Sequence, residues 1–508
     1  MRGKLIAGIL TPIVVLGSAG GYLAADAADL VPGWVTTSRE PEPPAPFLVA
    51  TQFGPSAAPG TLIAPLFDPQ APLPDAARIQ ALAQALRDDP RTGPSTNVSV
   101  IDLITGETLA DLDGGDGQVP ASTAKLLTAI GVVTALGPEH RLATVARYDD
   151  ARGEVALVAG GDMLLAAGTG IDAKAPVSDP AAGGVANPAA DPTTDPASPG
   201  AAGLAADPRT DAERSVGYAG LGDLADQVVA ALAARGVTAV SVVADTSAFP
   251  GPAYPTEWPS YALQQGYAAP VTGLAVNVGK KTNDEYAQRW PDPAANAADE
   301  FAARLTERGM TVTRGKERSG AGGEEVGRVE SAPLADVVAY MLHESDNTVA
   351  EDLTRVLAIE SGKTATPAAA MEALTTSLAT LGVDLTGLEL YDGAGFSTRN
   401  RIPPTVLTHA LRAAAMAGPT HDLPGWLAEA GLTGTLDDRF VATPGAGVVR
   451  AKTGSLTGVT ALAGIVITAD GRPLAFAALA DEMAYGQDGP RTAIDDFADA
   501  LAQCGCRP

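Results

Sequence analysis

Only four histidines and two cysteines are spread over 508 residues, and that scarcity removes several kinds of chemistry at once. His140, His343, His409 and His421 stand in stretches that read as helix ends or surface turns, and no Gly-x-Ser-x-Gly elbow accompanies them, which disfavours a histidine-based serine triad. A zinc hydrolase lacks the ligand spacing it needs. Cys504 and Cys506 lie together at the extreme C-terminus, which excludes a disulfide framework between domains; unpaired, strained or intermolecular thiols are the expectation there. Positive charge is short too. Against 60 acidic residues stand 34 basic ones, a formal charge of −26 that repels nucleic-acid phosphates. Beyond the first 25 residues no apolar run is long enough to span a bilayer, and no repeat of fixed period points to a solenoid.

The length suggests two or three domains, one inserted into another. Arg2 and Lys4 precede an uncharged stretch over 5–25, the charge order of an export signal, either cut near Ala25-Asp26-Ala27 or kept as a membrane anchor; residues 1–30 are assigned to it. Residues 31–74 are rich in Pro and Ala and read as a tether. Asp75 is placed to cap a helix carrying Ile79, Leu82 and Leu86. A hairpin follows over 97–103 and 107–112, turning at Thr105-Gly106. A second tract of Ala, Pro, Gly, Asp and Thr, about 166–213, cannot build a core and is expected to be a disordered surface loop. Asp223 is expected to cap a helix bearing Leu224, Val228 and Leu232. Helix, terminal glycine and β-prone residues recur at 232–237, 305–310 and 378–383, marking αβ units. Further on, helices are predicted over 334–343 and 348–357, strands over 448–452, 460–468 and 474–479, and a last helix over 491–501. The expected architecture is α/β (α+β): an antiparallel sheet with covering helices at 75–147 and 329–508, interrupted by an α/β region at 148–328.

Three short fragments carry the chemistry. Ser122-Thr123-Ala124-Lys125 comes first, Ser345-Asp346-Asn347 second and Lys452-Thr453-Gly454 third; of the eight lysines only Lys125 has a serine three residues before it. Helical spacing puts the Lys125 amine on the face of Ser122, and serine becomes a useful nucleophile only when a base takes its proton. A lysine serves as that base if burial or a second cation, for which Lys452 is placed, lowers its pKa. Ser345 and Asn347 sit two apart in a turn between helices, where one can relay a proton and the other hold a substrate amide. The third fragment is expected to end a strand whose edge pairs with an extended peptide, Gly454 allowing close approach and the Ser455 N–H joining that of Ser122 as oxyanion donors. Singly, each fragment is better explained as a helix cap or turn. Their joint order reverses that balance.

With these fragments the chain resembles the low-molecular-mass penicillin-binding proteins of the D-alanyl-D-alanine carboxypeptidase/endopeptidase family, peptidase S13. Gly160-Gly161-Asp162, Asp245-Thr246-Ser247-Ala248-Phe249 and Asp392-Gly393-Ala394-Gly395-Phe396-Ser397 with Asn400-Arg401 extend the match, which departs from the family pattern at Ala159, Met163, Ala394 and Phe396. The resemblance implies a β-lactamase/transpeptidase-like domain that needs no metal or organic cofactor. It implies Ser122 as acylated nucleophile, Lys125 as base, Ser345 as proton relay, Asn347 as amide ligand and Lys452 with Thr453 as an electrostatic clamp. The substrate would be a peptidoglycan stem peptide ending in D-Ala-D-Ala, and β-lactams would acylate Ser122. A β-lactamase and a non-catalytic wall scaffold are the competing readings.

Overall fold

The computed structural model describes residues 69–171, 215–316, 320, 322–416, 418–483 and 488–505. The leader, most of the tether, the bulk of the second low-complexity tract and Cys506 lie outside them. The chain divides into residues 1–66 and 67–508, and everything described belongs to the second unit.

The helix Ala76–Arg87 opens with the Asp75 carboxylate accepting from Arg78 N at 3.1 Å. Strands β1 (Ser95–Asp102) and β2 (Thr108–Leu112) then form the expected hairpin, and Asp102 Oδ2 accepts from Thr105 N and Oγ1 to fix the turn. A 3-10 turn, Ala121–Thr123, leads into the helix Ala124–Leu136, which is apolar on every side and is buried accordingly. Next come β3 (Ala143–Asp149), β4 (Glu154–Val158), β5 (Asp162–Leu165), β6 (Ala239–Asp245), β7 (Leu274–Val276), β8 (Thr311–Arg314) and β9 (Glu324–Glu330). Short β10 (Ala428–Glu429) precedes the long hairpins of β11 (Val449–Leu456), β12 (Val459–Ile467) and β13 (Pro473–Asp481).

These strands make a six-stranded antiparallel sheet, in the order β10-β11-β12-β13-β1-β2, a five-stranded mixed sheet, in the order β8-β6-β4-β3-β9, and a parallel pair of β5 with β7. The N-terminal hairpin therefore joins the C-terminal strands edge to edge, which extends the three-stranded sheet expected from the sequence. In β13, Leu474, Phe476 and Ala478 face a core with the helices Ala76–Arg87 and Asp488–Ala502, while Ala475, Ala477 and Leu479 face the core that holds Ala124–Leu136. A strand buried on both faces has no polar side, so residues 461–467 of β12 and 473–480 of β13 read as unbroken apolar runs.

The mixed sheet begins at Ala143 and ends at Glu330, with β3 and β9 paired antiparallel so that its entry and exit lie side by side. Parallel neighbours need a crossover, supplied by helix Leu221–Ala233 between β4 and β6 and helix Pro293–Glu307 between β6 and β8. Gly236 (φ 69°) and Gly309 (φ 89°) end those helices as the recurring pattern predicts. At the third recurrence Gly382 has φ 72°, but no regular strand follows: Asp384 Oδ1 accepts from Thr386 N and Oγ1, and that local turn competes with a ladder. Asp223 also departs from expectation. The cap is Gly220, and Asp223, in the first turn, instead accepts from Gly170 N at 2.6 Å.

Candidate active site

Ser122 belongs to the 3-10 turn, whose first residue, Ala121, has φ 47°, a left-handed conformation that is rare outside glycine. Such strain persists only where neighbours enforce it. Gly395 is one enforcer: a β-carbon there would lie 1.8 Å from the Ala121 carbonyl oxygen, and its own φ of 79° also calls for glycine. Gly454 is another, since a β-carbon on it would stand 2.7 Å from the Pro120 carbonyl oxygen. The nucleophile turn is thus pressed between β11 and the 392–397 loop. That loop is wound around Asp392, whose buried carboxylate accepts from the backbone N–H groups of Ala394, Gly395, Phe396 and Ser397.

Lys125 is fully buried one turn beyond Ser122. Its Nζ is 2.9 Å from Ser122 Oγ, 2.7 Å from Asn347 Oδ1 and 2.8 Å from the Ala394 carbonyl oxygen. An ammonium donates one proton to each of the three. A neutral amine keeps the bonds to Asn347 and Ala394 and turns its lone pair to the Ser122 hydroxyl, so the same geometry serves both protonation states. Burial lowers the Lys125 pKa to about 7, while the Asp392 and Asp346 carboxylates pull it up. Burial, rather than the second cation allowed by the sequence, dominates.

Lys452 is fully buried and is pushed well below the ordinary amine range, first by burial and then by the charge of Lys125. Its Nζ donates to Thr453 O at 3.0 Å and Thr453 Oγ1 at 3.3 Å, and Thr453 Oγ1 in turn is 3.0 Å from Thr435 Oγ1. The sequence placed this fragment at a strand end. It lies instead inside β11, because Gly454, Ser455 and Leu456 continue the ladder opposite Ala461, Thr460 and Val459. On its other edge β11 is met by β10 only at Arg450 and Ala451, leaving the edge from Lys452 onward open among the described residues.

Ser345 occupies a left-handed backbone conformation (φ 55°) between the helices Leu334–His343 and Asn347–Glu360. Asp346 caps the second helix by accepting from Thr348 N and Val349 N at 2.8 and 2.9 Å. Asn347 is held by both ends of its amide: Oδ1 accepts from Lys125, and Nδ2 donates to the Tyr267 carbonyl at 2.9 Å, leaving one N–H for another partner.

Ser122, Ser345, Asn347, Thr453 and Ser455 line one open cleft of about 1310 Å³, together with Tyr261, Tyr267, Tyr286 and Arg289 from the middle of the chain. Lys125, Lys452 and Gly454 are buried behind its wall. The structure therefore gathers the three distant fragments. It adds two contributors that the motifs did not reveal: the Ala394 carbonyl against Lys125, and the Tyr267 carbonyl against Asn347. Neither has a side-chain signature in the sequence, because each is a backbone oxygen.

Comparison with known proteins places this arrangement. The chain matches the model of the D-Ala-D-Ala carboxypeptidase 3 (S13) family over residues 78–288 and 280–504. It is 33% identical over 491 residues to the carboxypeptidase DacB of Mycolicibacterium smegmatis, covering 94% of each chain. It is 30% identical over 457 residues to a D-alanyl-D-alanine carboxypeptidase of an Actinomadura species, covering 80% of each. In fold it is similar to penicillin binding protein 4 of Haemophilus influenzae, with a TM-score of 0.61 at 19% identity over 84% of this chain and 98% of that one. The chain belongs to the D-Ala-D-Ala carboxypeptidase 3 (S13) family and is a serine-type carboxypeptidase.

Proposed function

We propose that the protein removes the terminal D-Ala from peptidoglycan stem peptides through an acyl-enzyme on Ser122. The observation that carries this reading is the buried Lys125 amine, held 2.9 Å from Ser122 Oγ with its pKa lowered to about 7. Lys125 takes the hydroxyl proton as Ser122 Oγ bonds to the penultimate carbonyl carbon. The N–H groups of Ser122 and Ser455 stabilise the oxyanion, and Ser345 passes the proton to the departing amine as the C–N bond breaks. Water then cleaves the ester, releasing the shortened peptide and restoring the serine. Asn347 offers its remaining N–H to a substrate amide, Lys452 with Thr453 binds the terminal carboxylate, whose charge favours the protonated Lys452 amine that burial disfavours, and the open edge of β11 supports strand-like docking of the peptide. The same chemistry on a cross-link, with a longer leaving group in the open cleft, would be endopeptidase activity.

β-Lactams are expected to acylate the same oxygen; a Haemophilus influenzae relative of this fold has a structure complexed with a β-lactam. A labelled penicillin should attach covalently to the purified protein and fail to attach to Ser122→Ala. Adduct persisting in that variant removes the nucleophile assignment, and rapid steady-state penicillin turnover would favour a β-lactamase. We further propose that 75–147 and 329–508 form the catalytic body with 148–328 inserted, and that residues 1–30 direct the chain to the cell envelope, where its substrate lies. No helix among the described residues is long and apolar enough to cross a membrane.

A further inference from the structure

We propose that Arg289 is a positioning residue of the acyl-transfer site, clamping the Ser345-Asp346-Asn347 turn to the 266–278 segment and setting how much negative charge Asp346 presents to Lys125. The inference rests on the acyl-enzyme reading above. Arg289 is only 6% exposed, although it borders the cleft. Its Nε donates to the Gly266 carbonyl and its Nη1 to the Val278 carbonyl, both at 3.1 Å, while Nη2 stands 3.7 Å from Asp346 Oδ2.

The two sides of this clamp are the two sides of one hydrogen bond. Asp346 immediately precedes Asn347, Gly266 immediately precedes Tyr267, and Asn347 Nδ2 donates to the Tyr267 carbonyl. Holding both flanks fixes the Asn347 amide, whose oxygen in turn faces Lys125 Nζ at 2.7 Å. Thr348 Oγ1, accepting from Ala269 N at 2.8 Å, adds a parallel tie between the same segments. The Val278 end is strained: Asn277 and Val278 have φ 44° and 53°, and a β-branched residue in that region needs external support. Arg289 supplies it from a planar fork that lysine cannot reproduce.

The clamp is also electrostatic. Lys125 faces the Asp346 and Asp392 carboxylates and the Lys452 amine, and Asp346 is bordered by Arg289 and the buried Tyr340 phenol, with Glu344 nearby. Without the guanidinium, Asp346 pulls harder on the Lys125 proton, and less of the amine is neutral at pH 7.

The test is the second-order rate of labelling by a fluorescent penicillin, per active site, from about pH 5 to about pH 9. In Arg289→Met the rising limb should move up by about one unit, which by itself is a loss of about fivefold at pH 7 and about tenfold at pH 5. Arg289→Lys keeps the charge and loses the fork; its limb should stay in place while the plateau falls several-fold. A purely structural role lowers the thermal midpoint without moving the limb of the folded Met variant, and that result overturns the proposal. If the Met variant does not fold, the Lys variant decides: a wild-type plateau overturns the proposal and a lowered plateau supports it. An unlabelled wild-type chain sinks the acyl-enzyme reading itself, whereas a labelled wild type with unaffected Arg289 variants sinks only the role of Arg289.

Discussion

Lys125 has no solvent-facing surface and three oxygen partners, so its proton is governed by the protein alone. With its pKa lowered to about 7 by burial, the neutral amine grows as pH rises through that value, and acylation should rise with it before levelling off. Lys125→Arg fills similar space but cannot deprotonate, so labelling by penicillin should fall by about a thousandfold while the fold survives; labelling within tenfold of wild type would exclude Lys125 as the base. Much of this residue-scale chemistry was legible in the sequence because Ser122 and Lys125 share one helical turn. The Ala394 and Tyr267 carbonyls were not legible, because a backbone oxygen carries no residue identity.

Among the elements, β1 and β13 come from opposite ends of the chain yet pair in register from Ser95 with Asp481 to Asp102 with Leu474. Arg472 pins that pairing: Nε and Nη2 meet Asp102 Oδ1 and Oδ2 at 2.7 and 2.6 Å with both side chains buried, and Nη1 donates to the Ala71 carbonyl at 2.9 Å. Arg472→Met leaves Asp102 buried without its cation and should destabilise the protein by about 3–5 kcal/mol, measured by denaturant unfolding. A loss under about 1 kcal/mol would mean that the pair contributes little to holding the sheet. The first helix start and the hairpin turn were readable because caps and Asx turns are local: Asp75 and Thr105-Gly106 sit where expected, whereas the cap expected of Asp223 falls on Gly220. The extension of β11 through Lys452-Thr453-Gly454 was not readable, since a glycine in the run signals a stop and only pairing with β12 carries the strand past it.

For the molecule as a whole, several carboxyls are buried against their preference for water. Asp162 and Glu351 are raised to about 7 chiefly by burial, and Asp352, which lines the same small cavity as Asp162, is raised well above its ordinary value. A carboxyl whose folded pKa exceeds its unfolded one contributes stability that is full below the unfolded value and is lost as pH rises through the folded value. The thermal midpoint should therefore fall between about pH 4 and about pH 7, and Asp162→Asn should flatten that fall by an amount worth a few kcal/mol; an unchanged slope in the variant would assign the pH dependence elsewhere. By itself the sequence determined which residue types were available for the reaction, the local elements that hold them and the family resemblance, because helix periodicity, caps and short motifs act over a few residues. Tertiary structure alone decided that the N-terminal hairpin would join the C-terminal strands, that Arg289 and Tyr267 would reach the Ser345-Asp346-Asn347 turn, and that burial would bring the Lys125 amine to about 7. Those outcomes depend on contacts between residues far apart in the chain and on how completely water is excluded, and no local pattern encodes either.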